Sequence, residues 1–266
     1  MNDLPQKAQE LRRTIIDMIY EAGSGHSGGS LSTVEILTVL YHRVMRIRPE
    51  DPLWTDRDRF VLSKGHGAPA LYAVLADRGY FSQEKLLTLR QLGSVLEGHP
   101  CMFKLPGIDM STGSLGMGYS VGVGMALAAK RSGSSYHTYV LCGDGELQEG
   151  QNWEAATAAA KWNLENLSLI VDKNGVQLDG TTEEVMPSGD LCEKLRAFGL
   201  LVIRCDGHDP EDLLRAFEEA KACGRAHAIV ADTIKGKGVP FMEGQSAWHG
   251  AKITKEDYEK FESSFE

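Results

Sequence analysis

Apolar residues Leu11, Ile15, Met18 and Ala22 recur every three to four positions, which predicts an amphipathic helix at the start of the chain. The run AGSGHSGGS (22–30) then stops that helix where the backbone must bend or approach something closely. Helix resumes over residues 33–45. FVLS (60–63) is short, apolar and β-leaning, and it leads through GHGAPALYAVLADRG (65–79) into a helix closed by Gly79. The same unit of strand, glycine turn and helix returns at HTYVLCGDG (137–145), followed by the Ala-rich GQNWEAATAAAKWN and the strand LSLIVDK (167–173). Further strands are expected at LLVIRCD (200–206) and HAIVADT (227–233), with the helix PEDLLRAFEEAKA (210–222) between them and a closing helix with a polar tail at 252–266. Strands alternating with helical stretches predict an α/β fold, a parallel sheet sandwiched by helices. No repeat or linker interrupts the pattern, so one domain is expected over 1–266. Ligands of such sheets bind beyond the C-terminal strand ends, where the glycine turns lie.

Composition narrows the chemistry. A hydrophobic content of 42% with 24% charged residues is ordinary for a folded globular chain. Lys and Arg number 28 against 37 Asp and Glu, a net charge of -9, which disfavours nucleic acid and anionic membrane as partners. A bound phosphate must then be held locally, by backbone N–H groups, histidines or a metal. The five cysteines show no C-x-x-C pair and no even count for a disulfide framework, so a reducing cytoplasm is expected. The acids and Pro5 near the start argue against a secretory leader, and no apolar stretch approaches the length of a membrane span.

The sharpest signal is Gly143-Asp144-Gly145 at one strand end and Asp172-Lys173-Asn174-Gly175 at the next, with 174 − 144 = 30 residues between Asp144 and Asn174. A lone Gly-Asp-Gly is often only a turn. Here, however, one crossover helix separates two parallel neighbours, and their tips fall at the same sheet edge. A carboxylate and an amide oxygen can converge there on Mg²⁺ or Ca²⁺, and Mg²⁺ keeps positions open for phosphate oxygens. Four of the eight histidines, His26, His66, His99 and His249, also sit in Gly- or Pro-flanked turns. None has the spacing of a zinc site. His137 and His227 start strands and are expected to be structural, His42 and His208 have no assigned role, and Trp153 and Trp162 are expected to pack in the core.

The segments SGHSGG (24–29), LSKGHGAPALY (62–72), EGHP (97–100), STGSLGMG (111–118), GDGELQEG (143–150), DKNGVQLDG (172–180) and WHG (248–250) together resemble the N-terminal domain of transketolases, in order and across nearly the whole chain. The resemblance implies a thiamine-diphosphate-binding domain of the diphosphate type. It implies Asp144, Asn174 and the Val176 carbonyl as Mg²⁺ ligands, with Ca²⁺ or Mn²⁺ able to substitute, and Gly113, Ser114, Leu115 and Gly145 lining the cofactor. It also implies that His26 and His249 reach the sugar oxygens, that His66 and His249 contact the diphosphate, and that His99 binds hydroxyls of the two-carbon fragment. Imidazole suits proton transfer from such hydroxyls near neutral pH. Glu149 is either a relay toward a second site or partner chain, or an acid favoured by the first turn of a helix.

The family's pyrimidine-binding domain, with its activating Glu, has no counterpart in this sequence. The expected partner is therefore a C-terminal transketolase subunit carrying that domain, in a heterotetramer of two copies of each chain acting on sugar phosphates. Met117, Met125 and Met242 are candidate interface residues, with core filling as the alternative. Three positions depart from the common pattern: Met117 replaces a Gln, Lys64 an Asn before Gly-His, and SGGS the usual PGAP after His26. Competing readings are a transketolase specialised for a sulfosugar or branched sugar, 1-deoxyxylulose-5-phosphate synthase, the decarboxylating component of a 2-oxo acid dehydrogenase, and a non-catalytic cofactor-binding module. A dinucleotide-binding protein is disfavoured because GVGMA (122–126) lacks a complete G-x-G-x-x-G.

Overall fold

A computed structural model describes residues 3–265. The first helix, α1 (Leu4–Ala22), is capped by the Asp3 side chain on Gln6 N and has Pro5 in its first turn, where no backbone donor is needed. Gly23, in the left-handed region at φ 62°, ends it. Leu11, Ile15 and Met18 are buried as the periodicity requires, while Ala22 packs only partly. The glycine run is not purely a bend. Ser27–Leu31 forms a short helix, α2, because Gly28 and Gly29 lie against Lys235 and the His66 ring with no room for a Cβ, so packing overrides their poor propensity. The resumed helix is α3 (Val34–Val39), continued by a π turn over Leu40–Val44.

Five parallel strands follow: β1 (Arg59–Leu62), β2 (Thr138–Gly143), β3 (Leu167–Lys173), β4 (Leu201–Asp206) and β5 (His227–Asp232), in sheet order β1-β2-β3-β5-β4. The helices between them are α4 (Ala68–Asp77), α5 (Met117–Ser132), α6 (Gly150–Lys161), α7 (Thr182–Val185), α8 (Leu191–Ala197) and α9 (Pro210–Ala222), with α10 (Lys255–Phe265) last. The expected parallel sheet with helices on both faces is the one observed.

Alternation along the strands divides the core in two. Leu141, Ile170 and Ile229 face the layer built from α1, α3, α4 and α9, whereas Val140, Val171 and Val230 face α5, α6 and α8. Burying each such aliphatic side chain contributes roughly 1.5–3 kcal/mol. The sequence pattern does not reveal α5, because Gly118, Gly122 and Gly124 depress its helical propensity. Packing explains two of them: a Cβ at Gly122 would stand 2.2 Å from Val140 Cγ2, and one at Gly118 2.6 Å from Ser63 Cβ. Met242 is wholly buried in the first core layer and cannot serve at an interface; Met125 is half-buried and Met117 is 47% exposed. Trp153 packs against its core layer, but Trp162 is 40% exposed beyond α6, with Arg131 and Lys161 over its ring, which corrects its assignment to the core. Among the described residues, no helix is long and apolar enough to cross a membrane.

Candidate functional site

Register brings the two strand tips together. Gly143 of β2 pairs with Asp172 of β3, so Asp144 and Asn174 leave the sheet side by side. The Asp144 carboxylate, 5% exposed, accepts hydrogen bonds from Gly145 N (2.9 Å) and from Gly175 N (2.7 Å), the residue after Asn174. Burial first, and the nearby Asp172 charge second, push its pKa up to about 6. The Asn174 amide donates to Asp172 Oδ2 (3.0 Å), and its oxygen accepts Val176 N (3.0 Å). Asp144, Asn174 and Val176 all line one cavity of about 240 Å³.

These donors, a buried carboxylate with amide and carbonyl oxygens beside it, fit a hard divalent cation. Among the described residues, no group of three His, Cys, Asp or Glu side chains is arranged for a metal, so a cation here depends on the amide and carbonyl oxygens.

The four glycine-turn histidines form one cluster. His26 lies 5.7 Å from His66, 5.8 Å from His99 and 5.5 Å from His249 between ring centroids, and His66 and His249 are 4.8 Å apart. His66 and His249 line the cavity, and His26 Nδ1 is buried without a partner. Burial is the main cause of lowered basicity throughout: His26 and His249 fall to about 4, His66 falls well below the ordinary value, and His99 falls as well. All four imidazoles are therefore neutral near pH 7 and can accept protons. Gly29 and Gly113 make room, since a Cβ at either would meet the His66 ring at 2.9 Å or the His99 ring at 3.2 Å.

Leu115, Gly145 and Glu149 also line the cavity. Gly113 lies instead beside His99, and Ser114 is exposed without a cavity contact. Glu149 is exposed at the N-terminus of α6, where the helix dipole favours an acid, and its side chain does not cap the helix. His137 and His227 are structural, both bound to Ser168, while His42 pairs with Asp77 and His208 with Glu35.

Charged residues to which the sequence gives no role complete the site. Lys235, 2% exposed, donates to the carbonyls of Val176 (3.2 Å) and Gln177 (3.3 Å) and contacts His249 Nδ1 (3.1 Å); burial, then Lys64, lowers it to about 8. Lys64 pairs with Asp172 at 2.5 Å, both fully buried. Burial pushes the Asp172 carboxyl up, but Lys64 and hydrogen bonds from Thr233 and Ser32 outweigh it and hold it below the usual range. Glu146 accepts from Ser63 Oγ (2.5 Å), Gly116 N (2.9 Å) and Gly143 N (3.1 Å), tying three turns together. Arg90, in a left-handed conformation at φ 59°, adds positive charge near His26 and His99. Glu146 carries a local signal in its place directly after Gly-Asp-Gly, Asp172 in opening the turn that holds Asn174, and Lys64 in its departure before Gly-His; Lys235 and Arg90 carry none.

The family described as transketolase, thiamine diphosphate binding domain, matches residues 5–265. An apulose-4-phosphate transketolase subunit of Phocaeicola vulgatus is 45% identical over 258 residues, covering 97% of this chain and 92% of that protein. The 6-deoxy-6-sulfo-D-fructose transketolase subunit SqwG of a Clostridium species is 48% identical over 255 residues, covering 96% and 93%. The solved transketolase of Leishmania mexicana superposes with a TM-score of 0.93 at 37% identity, over 100% of this chain but 41% of that one.

Proposed function

The chain belongs to the transketolase thiamine diphosphate binding domain family, and from that premise we propose that it is the cofactor-binding subunit of a two-chain transketolase, residues 1–266 acting as one domain. The observation that carries this reading is that Asp144, Asn174 and Val176 line the cavity that His66 and His249 also line. Near-complete coverage of two relatives that are themselves named as subunits supports the division of the enzyme between chains.

When bound, thiamine diphosphate supplies the carbanion stabilisation needed to transfer a two-carbon ketol unit from a ketose to an aldose. Asp144, Asn174 and the Val176 carbonyl would hold Mg²⁺, or Ca²⁺ or Mn²⁺ in its place, and His66 and His249 would bind the diphosphate. Leu115 and Gly145 would shape the cofactor's bed from within the cavity, and Gly113 and Ser114 from the turn that runs past His99. Neutral His26 and His249 accept or return protons at the sugar hydroxyls, and His99 binds the hydroxyls of the transferred fragment. Glu149, exposed at the cavity mouth, relays hydrogen bonds toward the partner.

The partner is a C-terminal subunit that brings the pyrimidine-binding domain, in a cytoplasmic heterotetramer of two copies of each chain. Substrates are ketose and aldose phosphates. A second reading, specialisation for a branched or sulfonated sugar, is favoured by the names of the two similar subunits. Purified alone with thiamine diphosphate and Mg²⁺, the chain is expected to show negligible ketol transfer from xylulose 5-phosphate or either specialised donor. Adding the complementary subunit is expected to restore it, and robust turnover by the chain alone would refute the division of the site.

A further inference from the structure

We propose that Lys64 is a positioning residue for the metal site: it anchors Asp172 so that the Asn174 amide can present only its oxygen to the cation. The proposal rests on the cofactor reading above and assigns a task to a departure from the family pattern that lies fully inside the protein.

An amide is nearly symmetric in shape, and turned over it would offer an N–H group where a cation needs an oxygen. A carboxylate only accepts, so Asp172 can receive the nitrogen end of Asn174 but not the oxygen end. Asn174 Nδ2 donates to Asp172 Oδ2 at 3.0 Å. On the other side, Asn174 Oδ1 accepts Val176 N at 3.0 Å, which leaves one of its two lone pairs for a metal.

Asp172 can fix the amide only if it is itself fixed. Its side chain is 0% exposed, and Oδ2 also receives Lys64 Nζ (2.5 Å) and Ser32 Oγ (2.7 Å), while Oδ1 receives the Thr233 hydroxyl. Lys64 comes from beyond the end of β1 and Asp172 from β3, with β2 between them, so the pair bridges the sheet edge over the intervening strand. The path runs past Gly143, where a Cβ would lie 4.0 Å from Lys64 Cδ. Lys64 Nζ also donates to Gly29 O at 2.8 Å, which adds α2 to the same frame. This is the arrangement in which outer partners orient the first ligands of a metal, and loss of such partners typically weakens metal affinity about 10- to 100-fold.

The test is Mn²⁺ titration followed by electron paramagnetic resonance, on the full chain paired with its complementary subunit in saturating thiamine diphosphate. Lys64→Met is expected to weaken Mn²⁺ binding about 10- to 100-fold. In an Asn174→Ala background, Lys64→Met is expected to cause little further loss, because the amide it positions is then absent. A merely structural role for Lys64 would weaken Mn²⁺ binding equally in both backgrounds. Native affinity in Lys64→Met, or an equal loss in the two backgrounds, would overturn the proposal. If circular dichroism shows Lys64→Met unfolded, the isosteric Thr233→Val, which removes one anchor of Asp172, is read instead: severalfold weaker Mn²⁺ binding supports the proposal and an unchanged constant overturns it. Absence of Mn²⁺ binding by the native assembly would instead sink the cofactor reading and this inference with it.

Discussion

The two ends of the parallel sheet both carry buried histidines, yet they are built on opposite principles. At the N-terminal edge, His137 Nε2 and His227 Nε2 both bond Ser168 Oγ, at 2.9 and 2.7 Å, and His227 Nδ1 meets the Arg225 carbonyl at 2.9 Å. A carbonyl only accepts, so His227 Nδ1 carries its hydrogen, Ser168 donates to His227 Nε2, and His137 Nε2–H donates to Ser168. Every hydrogen in that chain has a destination. At the C-terminal edge, His26 Nδ1 has no partner, and His66 and His249, in contact with it, line the cavity. Burial lowers basicity at both ends, to about 3 for His137 and about 4 for His26, so burial alone does not separate them. What separates them is whether the polar atoms are satisfied within the protein or held ready for something outside it.

The largest expected contrast is catalytic. His26→Leu should lower ketol transfer by the reconstituted enzyme by about 10²–10⁴-fold, the usual contribution of a positioned acid–base group. Its thermal unfolding midpoint should stay level or rise, because the replaced nitrogen is unsatisfied in the free chain. A large fall in that midpoint would mean that His26 belongs to the structural kind. The reverse pattern is expected at the other end. Ser168→Ala leaves two buried imidazoles without their shared partner and should destabilise the fold by about 1–3 kcal/mol in urea unfolding. Thiamine diphosphate affinity, measured by calorimetry, should stay unchanged, and a matching loss of affinity would erase the distinction between the ends.

The same contrast governs how much the sequence discloses. β3 and α9 lie where the sequence places them, β3 as a short apolar run buried on both faces and α9 as a helix with one buried face, because both patterns are local. Asp144 and Asn174 were legible for a related reason: one crossover between parallel strands fixes where both tips must lie. By contrast, α5 was hidden because its glycines answer to Val140 and Ser63, residues distant in sequence that only packing brings near. Lys235, Arg90 and the Lys64–Asp172 pair were hidden likewise, since a buried charge is recognised by its partner and the partners come from other turns. For Met242 the structure decides between the two readings in favour of core filling, which its sequence neighbours alone could not do, since the residues that close over it come from other elements.

The central claim is that two neighbouring strand tips share one divalent cation which holds the diphosphate. Calorimetric titration of the native chain with thiamine diphosphate, with and without Mg²⁺, and of Asp144→Ala under the same conditions tests it most directly. The account predicts that Mg²⁺ tightens binding to the native chain and has no effect on Asp144→Ala. Equal tightening by Mg²⁺ in both proteins would contradict it.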